Sequence, residues 1–347
     1  MAKKRIAILF GGSSKDHNVS LRSAFSVLTG LSKTAMYDII PVGITKAGRW
    51  LYFPGDYSAI LDGSWESDSD CCSAVLSPDP LHGGLIKLLE DGSYSHQRLD
   101  AVFPVLHGKF GECGQIQALC KLSGIGYVGS GFEAANACSD KVLTHLVLNR
   151  AGIKTAKYYY LERVDIDAVE EKFADIEKCI NYPMFVKPAV SSRSVGANIA
   201  NNREELKSSI KLAFSQHHKI LIEESVVGRE LDCLVWGSVY ALSVSKIAES
   251  TDNFELVIPA DVDEKTAEKI TDIAKTAFLS LGCTNFARMS FKLTDGGTAG
   301  DGYCIYCCKV SNMPGFTEND IMARLMEESG HDYSDMLELL LESVKEA

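Results

Sequence analysis

The cysteines are the first candidates for a functional site in this sequence, since closely spaced thiolates bind metals. Cys304 and Cys307 form a C-x-x-C spacing, followed directly by Cys308. No second pair and no histidine lies nearby, and residues three apart on a strand point to opposite faces, so a zinc site is disfavoured. Cys71 and Cys72 lie in a Ser/Asp-rich stretch that indicates a surface loop. With 11 cysteines and no secretion signal, we expect reduced thiols, many of them buried.

Loops at the ends of apolar strands are the next candidate positions for chemistry. Hydrophobic runs predict strands at residues 5–10, 37–44 and 101–106. The first ends at Gly11-Gly12-Ser13-Ser14 and leads into a helix from about residue 18 to residue 31, and the third ends at His107-Gly108. Strands that alternate with helices imply a parallel sheet, whose ligand sites lie at the carboxyl ends of its strands.

The rest of the chain supplies the elements that must position such a site. Residues 55–97 are rich in Ser, Asp and Gly, which suggests surface loops and short elements around the first domain. Periodicity predicts helices at 139–151, 165–179, 202–214 and 264–281, strands at 156–161, 219–224, 286–293 and 303–310, and a closing helix.

Composition excludes several classes of protein. The chain has 347 residues, 46% hydrophobic and 23% charged, which is typical of globular proteins and sufficient for two or three domains. A formal net charge of -11 argues against non-specific nucleic-acid binding, which depends on neutralising phosphates. No run approaches the roughly 18 apolar residues of a membrane span, so we expect a cytoplasmic protein.

Five motifs occur in a fixed order along the chain. They are residues 10–20 (FGGSSKDHNVS), 103–112 (FPVLHGKFGE), 124–129 (GIGYVG), 139–141 (SDK) and 312–317 (NMPGFT). The ordered set resembles the signatures of the D-alanine–D-alanine ligases, including the related ligases of vancomycin-resistant bacteria. A lone glycine doublet would be a weak signal, whereas five motifs spread over nearly the whole chain are a strong one.

The resemblance implies an α/β fold, with α+β character in the C-terminal part: a three-domain ATP-grasp protein with a parallel-sheet N-terminal domain. We expect an N-terminal substrate-side domain at 1–130, a central ATP-grasp domain at 131–222 and a C-terminal ATP-grasp domain at 223–347. In this family, ATP lies between the central and C-terminal sheets and phosphorylates one D-alanine. A second D-alanine then attacks the acyl phosphate, and the product serves peptidoglycan synthesis. The resemblance also implies a homodimer.

Four residues match the family's nucleotide ligands. Lys141 and Lys187 match the two lysines that contact ATP phosphates, a role that suits a compact ammonium group. Glu223 and Glu230 match the acids that bind the adenine amino group and the ribose hydroxyls. Each could instead be an ordinary surface or strand-end charge, but their spacing fits the family. The resemblance therefore implies that ATP or ADP is bound.

Four other residues match the substrate side of the family's site. Asp16 stands where the family has a glutamate for the first substrate's ammonium, so its side chain is one methylene shorter. His107 matches a histidine near that substrate, and Arg288 matches the arginine that stabilises negative charge at the acyl centre. Gly315 belongs to the 312–317 motif. These matches leave D-amino acids as candidate ligands.

The family's magnesium ligands are missing. Its R-x-D motif corresponds to Arg288-x-Ser290, and its E-x-N motif corresponds to Lys309-x-Ser311. Mg²⁺ prefers anionic oxygens, usually one or two carboxylates with phosphates and water, which two hydroxyls and an ammonium do not supply. Lys309 would neutralise phosphate charge for binding, but one monovalent charge cannot bridge two phosphates during transfer. The family resemblance thus implies magnesium, but the residues at the corresponding positions do not predict a magnesium site.

Three features around the family's substrates also differ. The phosphate-covering loop, often E-G-S-S-V-G, corresponds to 191–196 (SSRSVG), where Arg193 replaces a serine. The family's lid carries a Y-D-Y-x-x-K-Y pattern, and residues 247–259 lack it, so we expect the lid to be missing. Asp320 stands where the family uses a serine to bind the second substrate's carboxylate, which an aspartate would repel.

Three hypotheses remain from the sequence. The favoured one is a nucleotide-binding relative with impaired or absent ligation, a pseudoenzyme, because the lost features all belong to catalysis while the fold motifs persist. The second is an active ATP-dependent D-alanine–D-alanine (or D-Ala–D-Xaa) ligase of cell-wall synthesis. The third is altered chemistry built from Arg193, Lys309 or the 304–308 cysteine run.

Overall fold

Three β-sheets with flanking helices organise the chain. The computed structural model describes residues 3–162, 168–191, 195–238, 240–251, 253, 255–295 and 303–344. Its strands are β1 (Lys4–Gly11), β2 (Tyr37–Ile44), β3 (Trp50–Tyr52), β4 (Cys72–Leu76), β5 (Gly84–Leu88), β6 (Tyr94–Arg98), β7 (Ala101–Val105), β8 (Gly126–Tyr127), β9 (Tyr158–Glu162), β10 (Met184–Pro188), β11 (Asn198–Ala200), β12 (Lys219–Glu224), β13 (Arg229–Ser238), β14 (Ala241–Val244), β15 (Ala248–Ser250), β16 (Leu256–Val257), β17 (Asn285–Asp295) and β18 (Tyr303–Ser311).

Eleven α-helices and two 3₁₀ helices are described alongside these strands. The α-helices are α1 (His17–Ser32), α2 (Ser58–Asp62), α3 (Lys109–Glu112), α4 (Gln115–Leu122), α5 (Phe132–Ser139), α6 (Lys141–Arg150), α7 (Phe173–Cys179), α8 (Arg203–Phe214), α9 (Glu264–Ser280), α10 (Ile321–Glu327) and α11 (Tyr333–Glu342). The 3₁₀ helices are Ser64–Ser67 and Ala168–Lys172. None of the helices in the described part of the chain combines the length and apolar character needed to cross a membrane.

The first sheet has eight strands in the order β6-β5-β4-β3-β2-β1-β7-β8. β2, β1, β7 and β8 are parallel, as the alternation of strands and helices predicted. β3 to β6 join antiparallel, so the predicted parallel strands form one part of a mixed sheet. The segment 55–97, predicted as loops and short elements, overlaps three of these added strands. Hydrophobic pattern does not reveal an edge strand such as β6, whose residues are mostly exposed.

β1 lies in the interior of this sheet because both of its faces are apolar. Ile6, Ile8 and Phe10 belong to the core that includes the buried face of α1, whereas Ala7 and Leu9 belong to the core that includes α4. All five side chains are buried. The carboxyl ends of β1 and β7 therefore meet at one edge of the sheet, where the loops that carry the first two sequence motifs begin.

The second sheet is antiparallel, with strand order β11-β10-β12-β9. Met184 and Val186 of β10 are buried in a core with residues of α7 and α8. Successive side chains of a strand point to opposite faces, so Phe185 and Lys187 point away from that core. One face of the sheet thus packs against helices, and the other is available to a ligand.

The third sheet has the order β16-β15-β13-β17-β18, and β14 also pairs with β13. Leu231 and Cys233 of β13 pack with Met289 of β17 in a core that includes α9. Asp232 and Ser290 alternate with these apolar residues and lie opposite each other in the register. Both therefore face away from the α9 core.

A β-bulge interrupts the pairing of β17 with β18. Ser290 pairs with Lys309, whereas the next residue, Phe291, pairs with Cys307. Cys308 is the additional residue on β18. Bulges of this kind re-aim side chains, and they occur often beside functional sites.

The predicted helix over 139–151 is in fact two helices separated by Asp140. α5 ends at Ser139, Asp140 is extended, and its carboxylate accepts hydrogen bonds from the backbone N–H groups of Val142 (2.9 Å) and Leu143 (3.3 Å). An aspartate at this position caps a helix N-terminus, and hydrophobic periodicity does not register such a break. Lys141 consequently becomes the first residue of α6.

The remaining predicted elements agree with the structure to within a few residues, and β2 and β12 have the predicted bounds. Of the predicted helix 165–179, the 3₁₀ helix and α7 are present, and residues 163–167 lie outside the described residues. The division into three domains stays a prediction. The three sheets follow it, except that its second boundary, after residue 222, falls two residues before the end of β12.

Candidate nucleotide and substrate site

A cavity of about 380 Å³ is lined by residues of the second and third sheets and by the loops that follow β1 and β7. Six of the eight site residues predicted from sequence line it, namely Asp16, His107, Lys141, Lys187, Arg288 and Gly315. Glu223 contacts one of them, and Glu230 lies elsewhere. The structure thus brings most of the predicted residues together, while the role of each stays a prediction.

Lys141 projects from the first turn of α6 toward the end of β10. Its Nζ donates to the carbonyl oxygen of Ser191 (3.2 Å) and to the Ser191 hydroxyl (3.1 Å). The carbonyls of Pro188 and Ala189 are each 3.4 Å away. Desolvation by burial, reinforced by the positive charges of Lys187 and Lys309, lowers the Lys141 pKa to about 8. A phosphate group would relieve this crowding of positive charge.

Lys187 forms the closest ion pair in the cavity wall. Its Nζ lies 2.5 Å from Glu223 Oε1, and the two side chains are only 12% and 13% exposed. The other Glu223 oxygen lies 3.2 Å from Nε2 of His145, whose Nδ1 is 3.0 Å from the Thr155 hydroxyl. Burial alone would raise the pKa of the Glu223 carboxyl, but Lys187 and His145 outweigh burial and hold it below its usual value.

His145 is a site residue that the sequence reasoning missed. It lines the cavity, is buried, and packs against Tyr158 with the ring centroids 4.6 Å apart. One signal was available in the sequence. His145 follows Lys141 by four residues, and residues four apart share a helix face.

Glu230 occupies a different environment from the other predicted nucleotide ligands. Its side chain is 61% exposed and forms an ion pair with Lys292 at 3.1 Å. It is the second residue of β13 and does not line the cavity. Its predicted contact with ribose therefore requires a ligand that extends beyond the cavity.

The loops after β1 and β7 place two carboxylates close together. Asp16 is buried, and a Cβ atom on Gly108 would lie 2.8 Å from its Oδ2, so glycine is required there for space as well as for its φ of +74°. The Gly108 N–H donates to Glu112 Oε1 at 2.7 Å. Burial raises the pKa of the Glu112 carboxyl, an effect that this hydrogen bond and Lys309 oppose. The sequence motif included Glu112 but suggested no role for it.

The opposite side of the cavity carries the 312–317 motif and the residues behind it. His107 is buried, with Nε2 3.2 Å from the Ser23 hydroxyl. Asp320 accepts hydrogen bonds from the backbone N–H and the hydroxyl of Thr317, both at 2.7 Å. Its carboxylate also packs so closely on Gly315 that a Cβ there would lie 2.4 Å from Oδ2. Asp320 thus orders this loop, and its carboxylate lines the cavity.

The positions that match the family's magnesium ligands lie on the ends of β17 and β18. Ser290 donates to Asp232 Oδ1 at 2.6 Å, and Arg288 Nε lies 3.5 Å from the same oxygen. Lys309 and Ser311 line the cavity, and the Lys309 side chain forms no hydrogen bond or ion pair with any described residue. Desolvation, followed by the charge of Arg288, lowers the Lys309 pKa.

These residues do not fit a magnesium ion. The hydroxyls of Ser290 and Ser311 are neutral, and the Lys309 ammonium repels cations. Across the parts of the chain that the structure describes, no group of three or more His, Cys, Asp and Glu side chains is arranged to hold a metal. A nucleotide fits better, because the cavity presents three lysines and an arginine to a polyphosphate.

Several sequence predictions concern neighbouring segments. Arg193 lies outside the described residues, as do Ser192 and Ser194. Between residues 247 and 259 the described residues form only the short antiparallel pair β15 and β16, and the absence of the family's lid stays a prediction. In the cysteine run, Cys307 is buried and Cys304 is partly exposed, in keeping with thiols on opposite faces of β18. All eleven cysteines are free.

Comparisons with known proteins agree with this architecture. The family models D-ala D-ala ligase N-terminus and D-ala D-ala ligase C-terminus match residues 5–130 and 147–342. The chain is 35% identical to the D-alanine–D-alanine ligase of Acetivibrio thermocellus, over 98% of this chain and 95% of that protein. It is 33% identical to the vancomycin/teicoplanin A-type resistance protein VanA of Enterococcus faecium, over 98% of both.

Among solved structures, the VanG D-Ala:D-Ser ligase from Enterococcus faecalis superposes with a TM-score of 0.88 and 32% identity, covering 98% of this chain and 99% of that one. Family models that span most of the chain, together with full-length relatives above 30% identity, are decisive. The chain belongs to the D-alanine–D-alanine ligase family.

Proposed function

We propose that this chain is a nucleotide-binding member of the peptidoglycan-precursor ligase lineage in which ligation is impaired or absent. The observation that carries the proposal is the Lys309 ammonium, which has no hydrogen-bond or ion-pair partner among the described residues and lies beside Ser290 and Ser311, where the family resemblance calls for magnesium ligands. Magnesium neutralises the transferring phosphoryl group and bridges neighbouring phosphates. A pocket without anionic oxygens at that place holds a divalent cation poorly.

Nucleotide binding is the better supported half of this proposal. Lys141 and Lys187 both line the cavity, and Glu223 is oriented by Lys187 and His145. These groups would hold ATP or ADP by its phosphates and by the amino group of its base. When bound, ATP would supply an activated phosphoryl group, and Arg288, which lines the same cavity, would stabilise the developing negative charge.

The second candidate is an active ATP-dependent D-alanine–D-alanine ligase, or a D-Ala–D-Xaa ligase, of cell-wall synthesis. Asp16, His107 and Arg288 favour it, because all three line the same cavity as the lysines. A carboxylate for a substrate ammonium and a guanidinium for an acyl oxyanion would both be available there. The relatives named D-alanine–D-alanine ligases add weight to this alternative.

The two candidates differ in phosphate release. Purified protein is incubated with ATP, Mg²⁺ and D-alanine, and inorganic phosphate and the dipeptide are both measured, with L-alanine as the control substrate. We expect a nucleotide-induced rise in Tm without D-alanine-dependent phosphate release. Dipeptide that accumulates over many turnovers would establish the active ligase and end the proposal.

A matched variant tests the binding half separately. Lys141→Met removes a predicted phosphate contact, and we expect it to abolish most of the nucleotide-induced rise in Tm. Lys121→Met changes a lysine of α4 that does not line the cavity, and it should leave that rise unchanged. The family resemblance also supports a homodimer, which light scattering of the purified protein tests.

A further inference from the structure

Three polar residues form a row across the third sheet. Asp232 of β13 is paired with Ser290 of β17, and Ser290 is paired with Lys309 of β18. Directly paired residues of neighbouring strands point to the same face, so the three side chains follow one another across the sheet. This face is the one that points away from the apolar α9 core.

The Asp232 carboxylate already interacts with two side chains of β17. One of its carboxylate oxygens accepts the Ser290 hydroxyl at 2.6 Å and lies 3.5 Å from Arg288 Nε. The hydroxyl is therefore held by a hydrogen bond to a carboxylate within the sheet, and the guanidinium is ion-paired with the same carboxylate. Sequence reasoning missed Asp232, because only strand register brings it beside the two motif residues.

Lys309 differs from the other three cations of the cavity. Lys141 is bound by carbonyl oxygens, Lys187 by Glu223, and Arg288 lies beside Asp232. The Lys309 side chain has neither a hydrogen bond nor an ion pair with any residue in the described ranges. Among the described residues of the cavity wall, its ammonium is thus the cation that remains available to an external anion.

Two carboxylates nearby, those of Glu112 and Asp232, act on Lys309 without binding it. Glu112 exerts an electrostatic attraction on the Lys309 ammonium, but its Oε1 is engaged with the Gly108 N–H at 2.7 Å. Arg288 and Lys187 act in the opposite sense and repel Lys309. The positive charge of the Lys309 ammonium is therefore only partly compensated by its surroundings, and a bound phosphate would compensate the rest.

We propose that the Lys309 ammonium takes the place of the divalent cation, so that this site binds an adenine nucleotide free of divalent metal. The inference rests on the nucleotide binding of the proposed function and adds which form of the nucleotide is bound. Free ATP or ADP brings an uncompensated polyphosphate to Lys309, Arg288 and the two other lysines. The magnesium complex brings two positive charges to the same place, where Lys309 repels them.

The test is calorimetric titration of the full-length protein with ATP and ADP, once in EDTA and once in excess MgCl₂. We expect at least tenfold tighter binding in EDTA. Lys309→Met should weaken binding in EDTA at least tenfold, and Lys309→Arg, which keeps the charge, should restore most of it. The matched control is Lys246→Met, which removes an exposed lysine that pairs with Glu328 outside the cavity and should change affinity less than twofold.

The outcomes separate this inference from the proposed function. Tighter binding with magnesium, or a Lys309→Met variant that keeps both its Tm and its full affinity for free ATP, overturns the inference and leaves nucleotide binding standing. Absence of binding in both buffers overturns nucleotide binding itself and the inference with it. Magnesium-weakened binding that depends on the charge of residue 309 supports both.

Discussion

The two walls of the cavity differ in how completely their charges are matched. On the wall formed by the second sheet, Lys187 and Glu223 compensate each other in a nearly buried pair that His145 extends. On the wall formed by the third sheet, Lys309 is uncommitted and Arg288 Nε is buried without a hydrogen-bond partner among the described residues. The charges of the first wall compensate each other without a ligand. On the second wall, the positive charges still lack an anion that would compensate them fully.

Under the proposed function, this difference marks where the chain departs from its family's chemistry. The residues that match nucleotide ligands have kept their charge and, apart from Glu230, gather around the cavity. The residues that match metal ligands have changed from acidic or amide groups to hydroxyls and an ammonium. The most informative experiments therefore change the charges of each wall, by adding acidic groups to the third sheet or by removing the ion pair of the second.

The largest effect is expected from restoring acidic oxygens to the third sheet. Ser290→Asp alone would place a carboxylate against Asp232, since the two side chains are in hydrogen-bond contact. The combined variant Asp232→Asn, Ser290→Asp, Lys309→Glu and Ser311→Asn avoids that repulsion. We expect magnesium to strengthen its nucleotide affinity by about a hundredfold, as measured by calorimetry. A variant that folds, binds ATP and ignores magnesium would refute the placement of the metal positions.

The second prediction concerns the nearly buried ion pair between Lys187 and Glu223 on the second sheet. Lys187→Met leaves Glu223 in a nearly buried position without its main partner and should cost roughly 3 kcal/mol in the free energy of unfolding. Adding Glu223→Gln removes the stranded charge and should restore most of that stability, but not the nucleotide affinity. Denaturant titrations of the two single variants and the double variant measure the coupling. Additive losses of stability would show that Lys187 and Glu223 are not energetically coupled.

The third prediction concerns pH. Burial and the charges of Lys187 and Lys309 lower the Lys141 pKa to about 8, so in the free protein this lysine loses its proton as the pH rises through about 8. Phosphate favours the protonated form, so nucleotide affinity should fall above that pH by up to tenfold per unit. Lys141→Arg keeps its charge and should flatten the profile. Affinity that increases from pH 7 to pH 9 in the unmodified chain would contradict the assignment.

The smallest effect is expected at Glu230. It is exposed and ion-paired with Lys292, so Glu230→Gln should change stability by less than about 0.5 kcal/mol. If it reaches the ribose as the resemblance implies, ATP affinity should fall about threefold, the scale of one hydrogen bond. An ATP analogue without ribose hydroxyls should bind the variant and the unmodified chain equally. Loss of affinity for that analogue as well would assign Glu230 another role.

Much of the fold could be predicted from sequence because its central strands are strongly apolar. β1, β2 and β12 follow from hydrophobic runs alone. The edge strand β6 could not, because its mostly exposed residues form no such run. The break between α5 and α6 was missed for another reason: the capping aspartate, Asp140, lies inside a continuous helical pattern.

The site could be predicted only in part. Lys141, Lys187 and Arg288 were found because they stand in recognisable motifs. Asp232 was not, because nothing in its own strand marks it, and its significance depends on register with residues more than fifty positions away. Strand register is decided by the packing of the opposite, apolar face, which local spacing does not reveal.

The bulge at Cys308 affects how this cavity can change in evolution. In a regular strand only every second residue would reach the cavity, but the adjacent residues Cys308 and Lys309 both line it, while Cys307 is buried in the core. The extra residue therefore gives the ligand-facing floor two adjacent side chains that are free to vary without disturbing the packing beneath. Replacement of a carboxylate by lysine at such a position needs no adjustment of the hydrophobic layer, which explains how a binding surface can be rebuilt on an unchanged scaffold.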